Sequence, residues 1–147
     1  MADTNPKGPN PNRGRLVSVL IVAALFAIGA WQTLSGTRGY VTVAMDQAHL
    51  GVCGTYGEAT LVALDTITEV RLTDSLPDGT CLEGEQTGNT VSGIYTNEAL
   101  GTYTVHAYSD VPACILVTYP EGLLVFNCDS VSRTEELYAS LTEATVR

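Results

Sequence analysis

Leu16 to Trp31 is a run of sixteen residues without a charge, and Ser18 is its only polar member. A helix from Leu16 through Leu34 would reach roughly 28 Å at about 1.5 Å per residue, close to the hydrocarbon core of a bilayer at about 30 Å. The sequence therefore predicts a transmembrane helix over residues 16–34. A leader rich in Pro, Asn and Gly (1–15) precedes it, and residues 40–147 are left as one separate domain. A buried core helix fits less well. The run is apolar on every side, and the leader has the composition of a disordered segment.

Lys7, Arg13 and Arg15 stand ahead of the run against Asp3, and only Arg38 follows it before Asp46. Positive charge stays on the cytoplasmic side, so the expected topology is a signal anchor in the cell membrane. Its N-terminus would be cytoplasmic and its C-terminal domain extracytoplasmic. Trp31 suits the interfacial aromatic belt. The alternative is a cleaved signal peptide ending at Ala30, which would make the domain secreted. Ile28, at the −3 position, is not the small residue such sites prefer.

Past Gly39 the basic residues are Arg71, Arg133 and Arg147 against fifteen acidic ones, a balance of −12. Nucleic-acid binding needs clustered cations to neutralise phosphates, so that class is excluded. Binding of anionic lipid headgroups is disfavoured for the same reason.

Hydrophobic periodicity in this domain is that of β-structure. Val41, Val43 and Met45 alternate with polar neighbours, and Leu50 and Val52 continue after a short turn. Glu58 to Leu64 is extended, Asp65–Thr68 suits one helical turn, and Val70 and Leu72 resume the alternation. Residues 79–90, rich in Gly, Thr and Glu, read as an exposed loop. Strands then follow over Val91–Tyr95, Thr102–Tyr108, Ala113–Tyr119 and Leu123–Asn127. Such spacing predicts a mainly β domain, a small antiparallel barrel or sandwich. The period changes at the end. Ser132-Arg133-Thr134-Glu135 is a capping box, and Leu137, Tyr138, Leu141 and Ala144 form one apolar stripe. One C-terminal helix would plug the open end of the barrel.

Four cysteines, Cys53, Cys81, Cys114 and Cys128, lack zinc-ligand spacing, and no metal or other cofactor is expected. In an exported domain they are candidate disulfides. Tyr119-Pro120-Glu121-Gly122 suits a three-residue hairpin loop. That register sets Tyr119 opposite Leu123 and Cys114 opposite Cys128, at a non-hydrogen-bonded site where side chains approach closely. Cys53 and Cys81 then pair by elimination. Small buried thiols are the competing reading.

Asp65–Leu141 resembles the bacterial PH-like (pleckstrin homology) domains that follow N-terminal membrane segments. The residues that carry the resemblance are Ile67–Leu72 running into Asp74–Gly79, then Gly84, Gly88 and Gly93, then Gly101-Thr102-Tyr103. Val117-Thr118, Val125–Asn127, and Thr134–Tyr138 with Leu141 complete it. The resemblance implies a PH-like barrel closed by one helix and a noncatalytic module without cofactor. It carries over no catalytic residue. Four cysteines and so little positive charge depart from it and count against phosphoinositide binding.

The candidates for catalysis are His49, near Asp46 in a tight hairpin, and His106, on the polar face of a strand. Neither lies in a nucleophile motif, and exposed strand histidines are the simpler reading. Asp74/Asp78 and Glu83/Glu85 lack a calcium-ligand ladder and read as solvated loop charge. The expectation is a noncatalytic structural or protein-interaction module with another protein as partner. Its first docking candidate is the groove between the last helix and an edge strand, lined by Ala113–Tyr119 or its neighbours. The alternative is a small exported enzyme, or a subunit of one, using His49 or His106 with a carboxylate.

Overall fold

Residue alternation builds three short strands first: β1 (Val41–Met45), β2 (His49–Gly54) and β3 (Thr60–Ala63). The computed structural model describes residues 38–146 of the chain, so the expected leader and transmembrane helix lie outside the described residues. Among these, no helix is long and apolar enough to cross a membrane. The three strands form an antiparallel sheet in the order β1-β2-β3. Leu50, Val52 and Val62 all point to one face and are buried there.

A single 3-10 turn, Leu64–Thr66, leads into the second sheet. This sheet holds β4 (Glu69–Thr73), β5 (Thr80–Gln86), β6 (Thr90–Asn97), β7 (Gly101–Tyr108), β8 (Cys114–Tyr119) and β9 (Gly122–Phe126). Their spatial order is β4-β8-β9-β7-β6-β5. β9 slots between β8 and β7, antiparallel to the first and parallel to the second. The strands thus form two separate sheets, and no barrel closes among the described residues. The fold is mainly β with one C-terminal helix, but the sheet is not wholly antiparallel. Residues 80–86, expected as loop, are an edge strand instead. All seven are exposed, because β5 is held by its backbone ladder to β6 rather than by buried side chains.

The inner strands of the six-stranded sheet are buried on both faces. Ile115, Val117, Leu124 and Phe126 face β2, β3 and the helix, forming one core with Leu50, Val52, Val62 and Leu141. The neighbours one residue along, Leu116 and Val125, face the other way and join Val91, Tyr95, Tyr103 and Val105. Leu76, in the β4–β5 connection, packs on this second face. That connection is tied down where Tyr103 donates to the Pro77 carbonyl (3.3 Å) and Asn97 Nδ2 to the Asp78 carbonyl (2.7 Å).

The helix α1 runs over Val131–Thr145, two residues ahead of where Ser132 would cap it. Ser130 is the N-cap, its hydroxyl accepting from the Arg133 amide at 3.4 Å. Thr134, the third residue of the anticipated box, is instead buried. Its hydroxyl donates to the Ser130 carbonyl (2.8 Å) and accepts from the Cys128 amide (3.0 Å), fixing the helix to the end of β9. Leu141 is fully buried, and Leu137, Tyr138 and Ala144 pack beside it, so the apolar stripe faces the core as expected. α1 lies against β4, β8 and the 3-10 turn rather than across a barrel mouth.

Candidate functional site

His106 is where the sequence reading and the structure part most. Alternation along β7 does send it to the face opposite Tyr103, Val105 and Ala107, but that face is covered by the three-stranded sheet, leaving the side chain 2% exposed. Its Nδ1 meets Ser92 Oγ at 2.6 Å, and its Nε2 lies 3.5 Å from Thr60 Oγ1 on β3. Ser92 Oγ also donates to the Tyr56 carbonyl (3.1 Å) and accepts from the Tyr56 amide (3.3 Å). Burial alone pulls the imidazole pKa below its ordinary 6.5.

A serine within hydrogen-bond reach of a histidine is the first half of an activated nucleophile. Here the serine is fully buried, and its hydroxyl is already committed to the Tyr56 backbone. The pair ties the two sheets together. Further along the same seam Thr55 Oγ1 meets Thr90 Oγ1 at 3.2 Å, and Thr90 Oγ1 meets Thr87 Oγ1 at 2.5 Å. A sheet-to-sheet contact this close needs a residue without a side chain. A Cβ on Gly54 would overlap Ser92 Oγ and His106 Nδ1.

His49 sits where expected, in the β1–β2 hairpin, with Nδ1 3.7 Å from Asp46 Oδ1 and both side chains well exposed. Asp46 Oδ1 accepts from the Ala48 and His49 amides, each at 2.7 Å. Those two backbone bonds, ahead of the imidazole, hold the Asp46 carboxyl below the usual carboxylate range. The carboxylate closes a turn. A cleft of about 480 Å³ opens beside it, walled by His49, Asp65, Ile67 and the helix residues Ala144 and Thr145. Among the described residues no group of three or more His, Cys, Asp or Glu is placed to hold a metal ion.

The hairpin register is one residue off the expected one. Pro120 and Glu121 make a two-residue loop, so Tyr119 faces Gly122 and Ile115 faces Phe126. Gly122 permits the change with φ 148°. Cys114 therefore lies level with Asn127 rather than Cys128, and Asn127 Nδ2 approaches its sulfur at 3.5 Å. All four cysteines are free thiols: Cys81 exposed on β5, Cys53 and Cys128 half-buried, Cys114 buried. Asn127, expected only as a strand end, has a role the sequence does not announce. Fully buried, it accepts from the Tyr108 amide (2.7 Å) and donates to the Tyr108 and Val111 carbonyls (3.0 and 3.1 Å). These bonds hold the β7–β8 connection against β9.

The groove anticipated beside the helix takes a definite position. Its sheet wall is β4, the edge neighbour of β8, because β8 is itself an inner strand. Leu72, Asp74, Pro112, Ala113, Val131 and Glu135 line about 550 Å³ there. Leu72 lies on the helix side of β4, two residues from Val70, which packs half-buried against the first core. Leu72 and Val131 keep 37% and 38% of their surface exposed.

No family model, curated protein or solved structure matches this chain.

Proposed function

We propose that this protein is a single-pass, membrane-anchored module whose β domain stands outside the cytoplasm and acts through binding another protein rather than through catalysis. The observation that carries the proposal is the uncharged run Leu16–Trp31 behind Lys7, Arg13 and Arg15, a few residues ahead of the folded unit that begins at Arg38. The structural use of His106 and Ser92 supports the noncatalytic part. Their polar atoms satisfy one another and the backbone inside the protein. The strand-then-helix order and the motifs between Asp65 and Leu141 support a PH-like assignment. The acidic balance of the domain argues against anionic lipid or nucleic acid as its ligand.

Alkaline extraction of membranes carrying the full-length chain, with mass determination of the product, tests the anchor. The expected product stays with the membrane and retains the residues ahead of Leu16. Release of the chain, or a mature N-terminus just after Ala30, would overturn the anchor.

A further inference from the structure

Two of the large apolar side chains exposed among the described residues, Leu72 and Val131, converge on the groove between β4 and the first turn of α1. Beside it runs the outer edge of β4, whose backbone groups have no strand partner among the described residues. An unpaired edge accepts an added strand, and an apolar pocket at its end selects one side chain of that strand. The rim supplies the charge preference. Asp74 and Glu135 line the groove, and neither is in an ion pair among the described residues.

Resting on the proposed interaction role, we infer that this groove docks an extended segment of another protein, an apolar side chain between Leu72 and Val131 with Lys or Arg on either side. The charge argument points to another protein. A second copy would bring the same acidic surface, and the strand and helix cations Arg71 and Arg133 are paired with Glu69 (3.5 Å) and Asp129 (3.0 Å). The chain's own basic cluster, Lys7, Arg13 and Arg15, precedes the anchor and belongs to the opposite side of the membrane in the proposed topology. The opposite edge strand, β5, is a poorer acceptor. Its ladder is irregular between Cys81 and Glu83, and all seven of its residues are exposed, with no apolar groove beside them among the described residues to take a side chain.

The test places a photo-crosslinking side chain in the full-length protein, in its native membrane, at Leu72 or Val131 and, for comparison, at Leu61 or Leu82. Adducts are expected at the groove positions only. Their mapped peptide should be an apolar residue flanked by Lys or Arg. Adduct yield should fall at least about tenfold in Asp74→Lys/Glu135→Lys, a variant whose melting curve verifies its fold, and hold in Glu83→Lys/Glu85→Lys. Adducts only at Leu61 or Leu82 would sink the groove while leaving the interaction role standing. A mapped peptide without cations, or a yield indifferent to the charge reversal, would also overturn the inference. No adduct at any position would overturn the interaction role with it.

Discussion

Replacing Gly54 by Ala probes the closest approach of the two sheets. Gly54 ends β2, and the added Cβ would overlap Ser92 Oγ and His106 Nδ1 and stand 3.1 Å from His106 Cγ. Neither neighbour has room to retreat, since Ser92 is 0% and His106 2% exposed and Ser92 is bonded on two sides to Tyr56. Overpacking of a filled interior costs about 1–3 kcal/mol. Displacing the ring from Ser92 would add about 1–3 kcal/mol for each buried polar group left without a partner. A loss of about 2–6 kcal/mol follows, which at about 4 °C per kcal/mol for a domain of this size lowers the melting temperature by roughly 8–24 °C. Thermal unfolding of the full-length chain in detergent, followed by circular dichroism, measures it. Gly51→Ala is the internal control on the same strand. Its Cβ would meet only Ala44 O and Leu61 Cδ1, both at 3.8 Å. That variant should melt within about 2 °C of the parent, within the ±0.5 kcal/mol typical of neutral sites. Equal melting of the two variants would refute the account of the seam.

Acidification acts on the same place. Because burial lowers the His106 pKa beneath 6.5, the unfolded chain binds that proton more readily. Stability is therefore full above about pH 6.5 and falls as pH drops below it. Denaturant titration at pH 7 and pH 5.5 should show the loss in the parent but not in His106→Gln, and a parent indifferent to this window would contradict the burial argument. Thiol labelling should find Cys81 fast and Cys114 slow, since burial pushes the Cys114 thiol up to about 11 while Cys81 is exposed. A Cys114–Cys128 bridge in nonreducing mass spectrometry would instead restore the register expected from the sequence. Asn127→Ala strands the Tyr108 amide and the Tyr108 and Val111 carbonyls, so it should cost about 3 kcal/mol or more in the same unfolding assay. A loss below about 1 kcal/mol would mean that water replaces the side chain.

What could be read from the residues was local. The alternation of Val41–Met45, the break at Asp74–Gly79 and the apolar stripe through Leu141 each depend on neighbours in sequence, and each matches the structure. What could not be read depended on which strands become neighbours. Nothing in Leu123–Phe126 announces that β9 will slip between β7 and β8. That insertion makes β8 an inner strand and gives the helix β4 as its edge. Alternation puts His106 on the correct face, but a strand alone does not say that a second sheet lies over that face. A turn at Tyr119–Gly122 is legible in the sequence, but the three-residue loop expected there is a two-residue one, Pro120-Glu121. A one-residue difference moved Cys114 from Cys128 to Asn127. The sequence points to Ser132 as the cap, but Ser130, two residues earlier, takes that place where buried Thr134 bonds the Cys128 amide.

The side of the membrane on which the β domain stands is open to one direct measurement through Cys81. Intact cells bearing the full-length chain are treated with a membrane-impermeant reductant and then an impermeant maleimide, with Cys81→Ser as the blank. An extracytoplasmic domain takes up the label at Cys81 before the cells are opened, and permeabilisation adds nothing. Labelling that begins only after permeabilisation would place the domain in the cytoplasm and contradict the account.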